Sequence, residues 1–392
     1  MAQIRQTYGN KTYYLLLIWY MLSYFYDCVN AQYLQKYMKA CGLATSEIGT
    51  IISVGTIFSI IAQLLWARAA DKARYKNTIL LICSIGSAVI GLLWLRVPAE
   101  IVFVYVFAIT LISTVFRSAV LMLSDTICLE ILEKDNRPFG PVRLMGAIGW
   151  AVMGFIAGQI LDRDIFLFGP LCMVLAAITI GAHFFVPKIK GHREKARLDI
   201  KGFFKNPKIL PLIIYIALTS LGNGVANTYF YLNFEQLGGN TSSYGTYLLI
   251  VTLTEIPFLF FADRILRRFG VRITLATVGI ISSLRLLYIY FVPSYKWLFG
   301  LALANGILVI GSFVISIFFN RIATADMKTT SLTIATVTQG IFRSIGAYAG
   351  GLIINHVFND NFQPAYLISA GMVFIAVVFL LISTAKVKFD TP

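Results

Sequence analysis

The sequence predicts an all-α membrane protein, with twelve transmembrane helices arranged as two pseudo-symmetric six-helix bundles. Three observations predict it. The chain of 392 residues is 58% hydrophobic and only 13% charged, with a mean hydropathy of +0.77; a soluble protein would carry about 25% charged residues. Apolar stretches of about 20 residues recur along the whole length, enough for a helix to cross the hydrocarbon core of a bilayer. A basic polar segment, PKIKGHREKARLDIKGFFKNPK, divides those stretches six and six. No separate soluble domain stands out.

The spans are expected at 12–35, 46–70, 77–97, 100–130, 140–161, 164–186, 209–233, 243–264, 271–292, 296–320, 330–356 and 364–386. The first follows a polar, basic decapeptide. It is too long for a signal-peptide core, carries Asp27 and shows no small-residue cleavage site, so it is expected to be retained. DKARYK (71–76) parts the second span from the third. The fourth contains Arg117 and Asp125, and the fifth opens on Arg143 beyond a short polar loop. Within the fifth, Ala147, Ala151, Gly154 and Gly158 fall on one helix face. Small residues aligned in this way let backbones approach closely, and both tight packing and a sliding interface fit them. The sixth span ends the N-terminal bundle, 1–187; a cytoplasmic loop, 188–208, leads to the C-terminal bundle, 209–392. There Asn227 lies in span 7, Glu255 in span 8, Arg285 in span 9, Asn305 in span 10 and Arg343 in span 11.

The halves echo each other. RRFGVR (267–272) parts spans 8 and 9 as DKARYK parts spans 2 and 3, about 196 positions earlier. RSIGAYAGGLII, from Arg343, repeats the Arg, Gly and Ala of RLMGAIGWAVMG, from Arg143, at a spacing of 200. Weak internal symmetry of this kind is expected of transporters whose two bundles enclose a midplane site.

The formal net charge is +15, but its placement argues for lipid contact and not for nucleic acid. Arg5, Lys11, Lys72, Arg74, Lys76, Lys134, Arg137, Arg267, Arg268, Arg272, Arg321, Lys328, Lys386 and Lys388 all fall on one side, with eight more Lys and Arg in the central loop. The opposite loops GGNTSS, PSYK, NDNFQP and DRD hold two between them, although Lys36, Lys39 and Arg96 also fall there. The positive-inside rule therefore puts both termini and the central loop in the cytoplasm of a multi-pass cell-membrane protein, with the basic loops facing anionic headgroups. Five cysteines form no CxxC, and three scattered histidines offer no metal site. No cofactor or metal is expected.

Seven charges lie inside the spans: Asp27, Arg117, Asp125, Arg143, Glu255, Arg285 and Arg343. Each costs at least about 2.5–3.5 kcal/mol at a helix centre unless it faces a partner, the bundle interior or water. Asp125 and Arg143 flank one loop and are expected to meet at similar depth. Trp150, seven residues on, shares the face of Arg143. A carboxylate and a guanidinium hold hydroxyls by directional hydrogen bonds, and an indole stacks on a sugar or nucleobase; an ion pair that only fastens two helices is the other reading. Tyr24 and Asn30 flank Asp27 as a polar stripe, and Arg117 shares the broad face of Asp125. Glu255 and Arg285 are expected mates, with Asn227 and Asn305 as polar company. Arg343 has no evident acidic neighbour, leaving helix carbonyls or an anionic solute.

FGPVRLMGAIGW, preceded by an acidic residue 18 positions before its arginine, resembles the lactose permease branch of the major facilitator superfamily, which also holds nucleoside and aromatic-acid permeases. The resemblance covers the whole chain. It implies that Asp125 and Arg143 are the sugar-binding carboxylate–arginine pair, and that Trp150 is the stacking tryptophan. FGVRITLATVGIISSLR puts Arg285 on the arginine of proton coupling. Other family positions differ. The tenth-span histidine and glutamate fall on Asn305 and Leu308, the eighth-span glutamate on Thr252, one turn from Glu255, and the seventh-span aspartates on Thr219 and Gly222. The eleventh-span lysine falls near Thr338 and Gln339. In the loop after span 2, Asp71 is kept while Ala67 and Arg74 replace glycines; Asp71 and Arg267 mark the gating loops of the two halves.

The sequence is therefore expected to encode a monomeric secondary transporter of a small polar solute, a saccharide or nucleoside, working by alternating access and driven by protons, with sodium as the other candidate ion. Asp125, Arg143, Trp150, Asp27, Asn30, Arg117 and Asn227 are expected on the solute, and Glu255, Arg285, Asn305 and Arg343 in coupling. An exporter, an uncoupled facilitator and a non-transporting receptor are the alternatives. No GxxxxGK[ST] loop is present, and no histidine stands beside a nucleophile at a spacing that suggests an enzyme.

Overall fold

A computed structural model of the chain describes residues 8–191, 208–322 and 328–385. Most of the central loop, together with Arg5, Lys386 and Lys388, lies outside the described residues. Helices occupy every predicted span: α1 (Asn10–Ala40), α2 (Thr45–Lys72), α3 (Lys76–Gly91), α4 (Val102–Lys134), α5 (Gly140–Arg163), α6 (Phe168–His183) and α7 (Ile209–Gln236). Next, α8 (241–269) and α9 (271–291) run as one stretch, Thr241–Phe291, broken at Gly270. Gly270 has φ 74°, a left-handed conformation that glycine adopts without steric cost; the predicted loop 267–272 is thus a one-residue break. A short turn, Tyr295–Leu298, leads to α10 (Ala302–Ile322), followed by α11 (Lys328–His356) and α12 (Gln363–Ser383).

Nine helices among the described residues are long and apolar enough to cross a membrane on composition alone. The other three are α1, α8 and α11. These carry Asp27 and Asn30, Glu255, and Arg343 respectively, while the other embedded charges, Arg117, Asp125, Arg143 and Arg285, lie on α4, α5 and α9.

The helices gather into two compact units. The first comprises Met1–Leu43, Phe58–Glu194 and Thr241–Leu249; the second comprises Ala44–Ile57, Lys195–Asn240 and Ile250–Pro392. Each unit thus includes one helix end from the other sequence half: the start of α8 in the first, the start of α2 in the second. The first has a core that includes Leu16, Trp19, Tyr20, Cys83, Leu123 and Ile127. The second is built on Leu212, Tyr215, Leu275, Val314, Phe319 and Val377.

Equivalent glycine-rich helices do equivalent packing in the two units. In the first, α5 lies along α1; in the second, α11 lies along α7. A Cβ on Gly146 would strike the rings of Tyr20 and Tyr24, and one on Gly149 would come within 2.5 Å of the Met21 carbonyl oxygen. On the other side, Gly346 meets the Leu221 carbonyl and Gly224 the Arg343 carbonyl. Gly158 closes on Gly245 and the Thr241 carbonyl at the start of α8, while Gly49 closes on Gly351 and the Tyr229 hydroxyl. The glycines are there because backbones touch.

The start of the central loop is tied to the α2–α3 turn. Asn77 accepts from the Ile189 amide at 2.9 Å and donates to the Pro187 carbonyl at 3.1 Å; the Lys76 amide donates to the Ile189 carbonyl at 2.8 Å. Gly191 then packs on the carbonyls of Ala70, Asp71 and Ala73.

Replacing Gly149 with alanine drives a methyl group into backbone and should cost about 1–3 kcal/mol through overpacking. Gly181, in α6, has nothing within 4 Å of a built Cβ, so Gly181→Ala should leave stability unchanged or raise it slightly. Thermal unfolding of the purified variants in detergent separates the two; equal transitions would contradict the close crossing.

Candidate functional site

The first unit assembles a polar cluster from α1, α4 and α5. Tyr20 and Tyr24 sit one helical turn apart on α1 and so project from one face; both are buried. The absence of a side chain at Gly146 lets α5 lie against their rings. The Tyr20 hydroxyl donates to Asp125 Oδ1 at 2.5 Å and accepts from Arg143 at 3.2 Å. Arg143 also donates to the Tyr24 hydroxyl, which lies 3.3 Å from that of Tyr20. Arg143 stays exposed while Asp125 and Trp150 are half-buried. The Trp150 ring stands edge-on to Tyr24 with centroids 6.5 Å apart.

This corrects the expected direct pairing. Among the described residues no ion pair joins Asp125 to Arg143; the Tyr20 phenol stands between them, one hydrogen bond to each. A phenol is both donor and acceptor, so it relays between carboxylate and guanidinium. Each charge keeps a polar partner, yet neither is neutralised by a contact ion pair. A solute hydroxyl offers the same donor and acceptor as that phenol, so it is chemically equipped to replace or extend the relay.

Asp27 and Arg117, expected separately beside the solute, form an ion pair with each other. They line a small cavity of about 20 Å³, together with Ser23 and Tyr26 of α1, Ser84 and Ser87 of α3, and Thr179 of α6. Asn30 is also corrected. It is buried, and its amide donates to the Tyr26 carbonyl at 3.0 Å and to Cys172 Sγ at 3.6 Å, which makes it a packing contact.

In the second unit, no ion pair joins Glu255 to Arg285 among the described residues. Both are half-buried and within electrostatic reach of each other. The Arg285 guanidinium lies 5.9 Å from the Phe230 ring centroid, and its buried Nε has no hydrogen-bond partner. Similar depth on neighbouring helices did not suffice to bring the two charges into contact. Asn305 is half-buried on α10, whereas Asn227 and Arg343 are exposed.

With the helices and charges in place, a comparison with known proteins is decisive. The profile of the MFS_1-like family matches residues 13–384. The chain belongs to that family. It is a multi-pass transporter-type protein of the major facilitator superfamily. The uncharacterized transporter YwbF of Bacillus subtilis (strain 168) is 27% identical over 327 residues, covering 80% of this chain and 79% of the relative. The maltose permease of Geobacillus stearothermophilus is 28% identical over 258 residues, 64% of each chain. The solved structure of the nucleoside transporter NupG superposes with a TM-score of 0.80 at 18% identity, covering 97% of this chain and 100% of that one; this likeness is one of fold.

The α2–α3 turn of this major facilitator protein holds a contact that the sequence did not reveal. Lys76, counted as a cytoplasmic loop charge, is buried. Its ammonium pairs with Glu130 and lies 3.7 Å from Asp71; Arg267, the counterpart in the second half, is exposed. Tyr20 was missed for a related reason. A tyrosine in an apolar helix reads as core, and its one available signal was the stripe Tyr20, Tyr24, Asp27 at steps of four and three.

Lys76→Met removes the buried ammonium that pairs with Glu130 and should cost about 3 kcal/mol, the lower end for a broken buried pair. Adding Glu130→Gln should recover much of that loss. Thermal unfolding of the single and double variants checks it; a double variant less stable than Lys76→Met alone would contradict the pairing.

Proposed function

We propose that the chain is a proton-coupled symporter that imports a small hydroxylated solute, a saccharide or nucleoside, by alternating access. The observation that carries this reading is the Asp125–Tyr20–Arg143 relay, with Arg143 open to solvent and the Trp150 indole beside Tyr24. Carboxylate and guanidinium orient hydroxyls by charge-assisted hydrogen bonds, and an aromatic face accepts the apolar side of a sugar ring or a base. The names of the relatives support the class: a maltose permease, a lactose permease of Citrobacter freundii and, by fold, a nucleoside transporter.

In this proposal the protein works as a monomer in the cell membrane, with both termini and the 188–208 loop cytoplasmic. Residues 1–187 and 209–392 act as the two bundles, and anionic lipids contact the basic loops. The proton is carried by an embedded carboxylate, for which Asp27 beside Arg117 and Glu255 near Arg285 are the candidates. Asn227, Asn305 and Arg343 supply further polar groups from the second bundle, and Asp71 and Arg267 act in the gating loops.

Uptake of labelled maltose, lactose, uridine and phenylpropionate into right-side-out vesicles, with and without an imposed proton gradient, tests the reading. At least one saccharide or nucleoside should accumulate only with the gradient, and Asp125→Asn should abolish its uptake. Tyr20→Phe removes a hydrogen bond to a charged group, worth about 1.5–3 kcal/mol, so apparent affinity should fall roughly 10- to 150-fold. Equilibration indifferent to the gradient would make the protein a facilitator. Protection of cells from a solute without accumulation would make it an exporter.

A further inference from the structure

Of the seven embedded charges, three are acidic and four basic. Arg117 pairs with Asp27, Arg143 reaches Asp125 through Tyr20, and Arg285 has Glu255 within electrostatic reach. Arg343 is the cation left over. We propose that Arg343, with Gln339 and Asn227, forms a carboxylate subsite in the second unit, and that the solute is a monoanionic saccharide of the uronic-acid class. The proposal rests on the symport reading above and moves Arg343 from coupling to solute recognition.

Lipid headgroups are out of reach of this guanidinium. Arg343 stands 15 residues from Lys328 and 13 from His356 on α11, roughly 20 Å from either helix end at about 1.5 Å per residue. Helix carbonyls do not hold it either. Among the described residues Arg343 makes no hydrogen bond, ion pair or ring contact, and neither do Gln339 and Asn227. An unpaired ionisable group in mid-span marks a functional position.

Helix α11 exposes two opposite faces. Ile341, Ile345 and Tyr348 are exposed on one, and their apolar side chains suit lipid. Gln339 and Arg343, one turn apart, are exposed on the other, where they need water or a polar ligand. Towards His356 this polar face closes: Ala347 and Ile354 are buried, and the Tyr229 hydroxyl donates to the Ala347 carbonyl at 2.7 Å.

Helix α7 supplies the third group. A Cβ on Gly224 would come within 3.0 Å of the Arg343 Cα, so the two backbones touch at this level. Asn227, one turn further along α7, is the only exposed residue from Leu221 to Phe234. An otherwise buried stretch opens at a carboxamide next to the helix crossing that carries Arg343.

A guanidinium presents a planar fork of donors to a carboxylate, and the Asn and Gln carboxamides add N–H donors. One unbalanced positive charge matches one carboxylate. A phosphate monoester, at about −1.5 to −2, overshoots it. Hydroxyls on the same solute suit the Asp125–Tyr20–Arg143 relay. A monocarboxylate that enters with one proton moves no net charge, so its entry should follow the pH difference and ignore the membrane potential.

Calorimetric titration of the purified full chain with D-glucuronate, D-galacturonate, glucose and the neutral glucuronamide tests the subsite. Glucuronate should bind roughly 10- to 150-fold more tightly than glucuronamide, the range for a hydrogen bond to a charged group. Arg343→Gln should erase that preference and Arg343→Lys should keep part of it. The acid–amide comparison uses the unaltered protein, so it decides even where an Arg343 variant fails to fold. In proteoliposomes, uronate uptake should respond to an imposed pH gradient and not to a potassium diffusion potential. Absence of uronate binding, equal affinity for acid and amide, or uronate binding indifferent to Arg343→Gln would overturn the proposal. Tighter binding of glucose 6-phosphate or phenylpropionate than of either uronate would overturn it too. Gradient-driven uptake of maltose without uronate binding removes the subsite and leaves the symport reading standing. Arg343-dependent uronate binding without gradient-driven uptake does the reverse.

Discussion

Helix α5 comes so close to α1 that no Cβ fits at Gly146 or Gly149, and the polar chemistry of the first unit depends on that crossing. Because the backbones touch, Arg143 at the start of α5 reaches the hydroxyls of Tyr20 and Tyr24, and Tyr20 in turn reaches Asp125 on α4. An arginine and an aspartate are thereby held in an apolar setting by two phenols. The arrangement satisfies the requirement that embedded charges have polar partners without locking them into a contact pair. A contact pair would have to be broken before either group could bind anything else.

The same economy explains the division of labour among the helices. The embedded charges are shared among α1, α4, α5, α8, α9 and α11, and each helix carries at most two of them in an otherwise apolar span. On α1 the stripe of Tyr20, Tyr24 and Asp27 faces two partners in succession, Arg143 near one end and Arg117 near the other. The second unit repeats the glycine crossing between α7 and α11, but among its described residues no ion pair joins Glu255 to Arg285. The scaffold repeats more faithfully than the chemistry.

The helical frame was legible from hydropathy alone because the bilayer imposes length and composition on every span. Asp125, Arg143 and Trp150 were legible because charges and a motif stand out against an apolar background. What lay hidden was contact. Asp27 and Arg117 are 90 residues apart, and nothing in either span says that they meet. Lys76 looked like a loop charge because its partner, Glu130, comes from a different helix end. Tyr20 was hidden by its own chemistry, since a ring that packs as core and a hydroxyl that bridges charges share one side chain. Glu255 and Arg285 show the converse: plausible depth on adjacent helices did not produce a pair.

The most direct measurement is the emission of Trp150 in a protein with Trp19, Trp66, Trp94 and Trp297 replaced by phenylalanine, titrated with saccharides and nucleosides. Saturable quenching or a spectral shift by one of them, abolished by Asp125→Asn, is the predicted result. A solute that the protein demonstrably transports, yet that leaves Trp150 unperturbed and is indifferent to Asp125→Asn, would contradict the assignment of this cluster as the binding site.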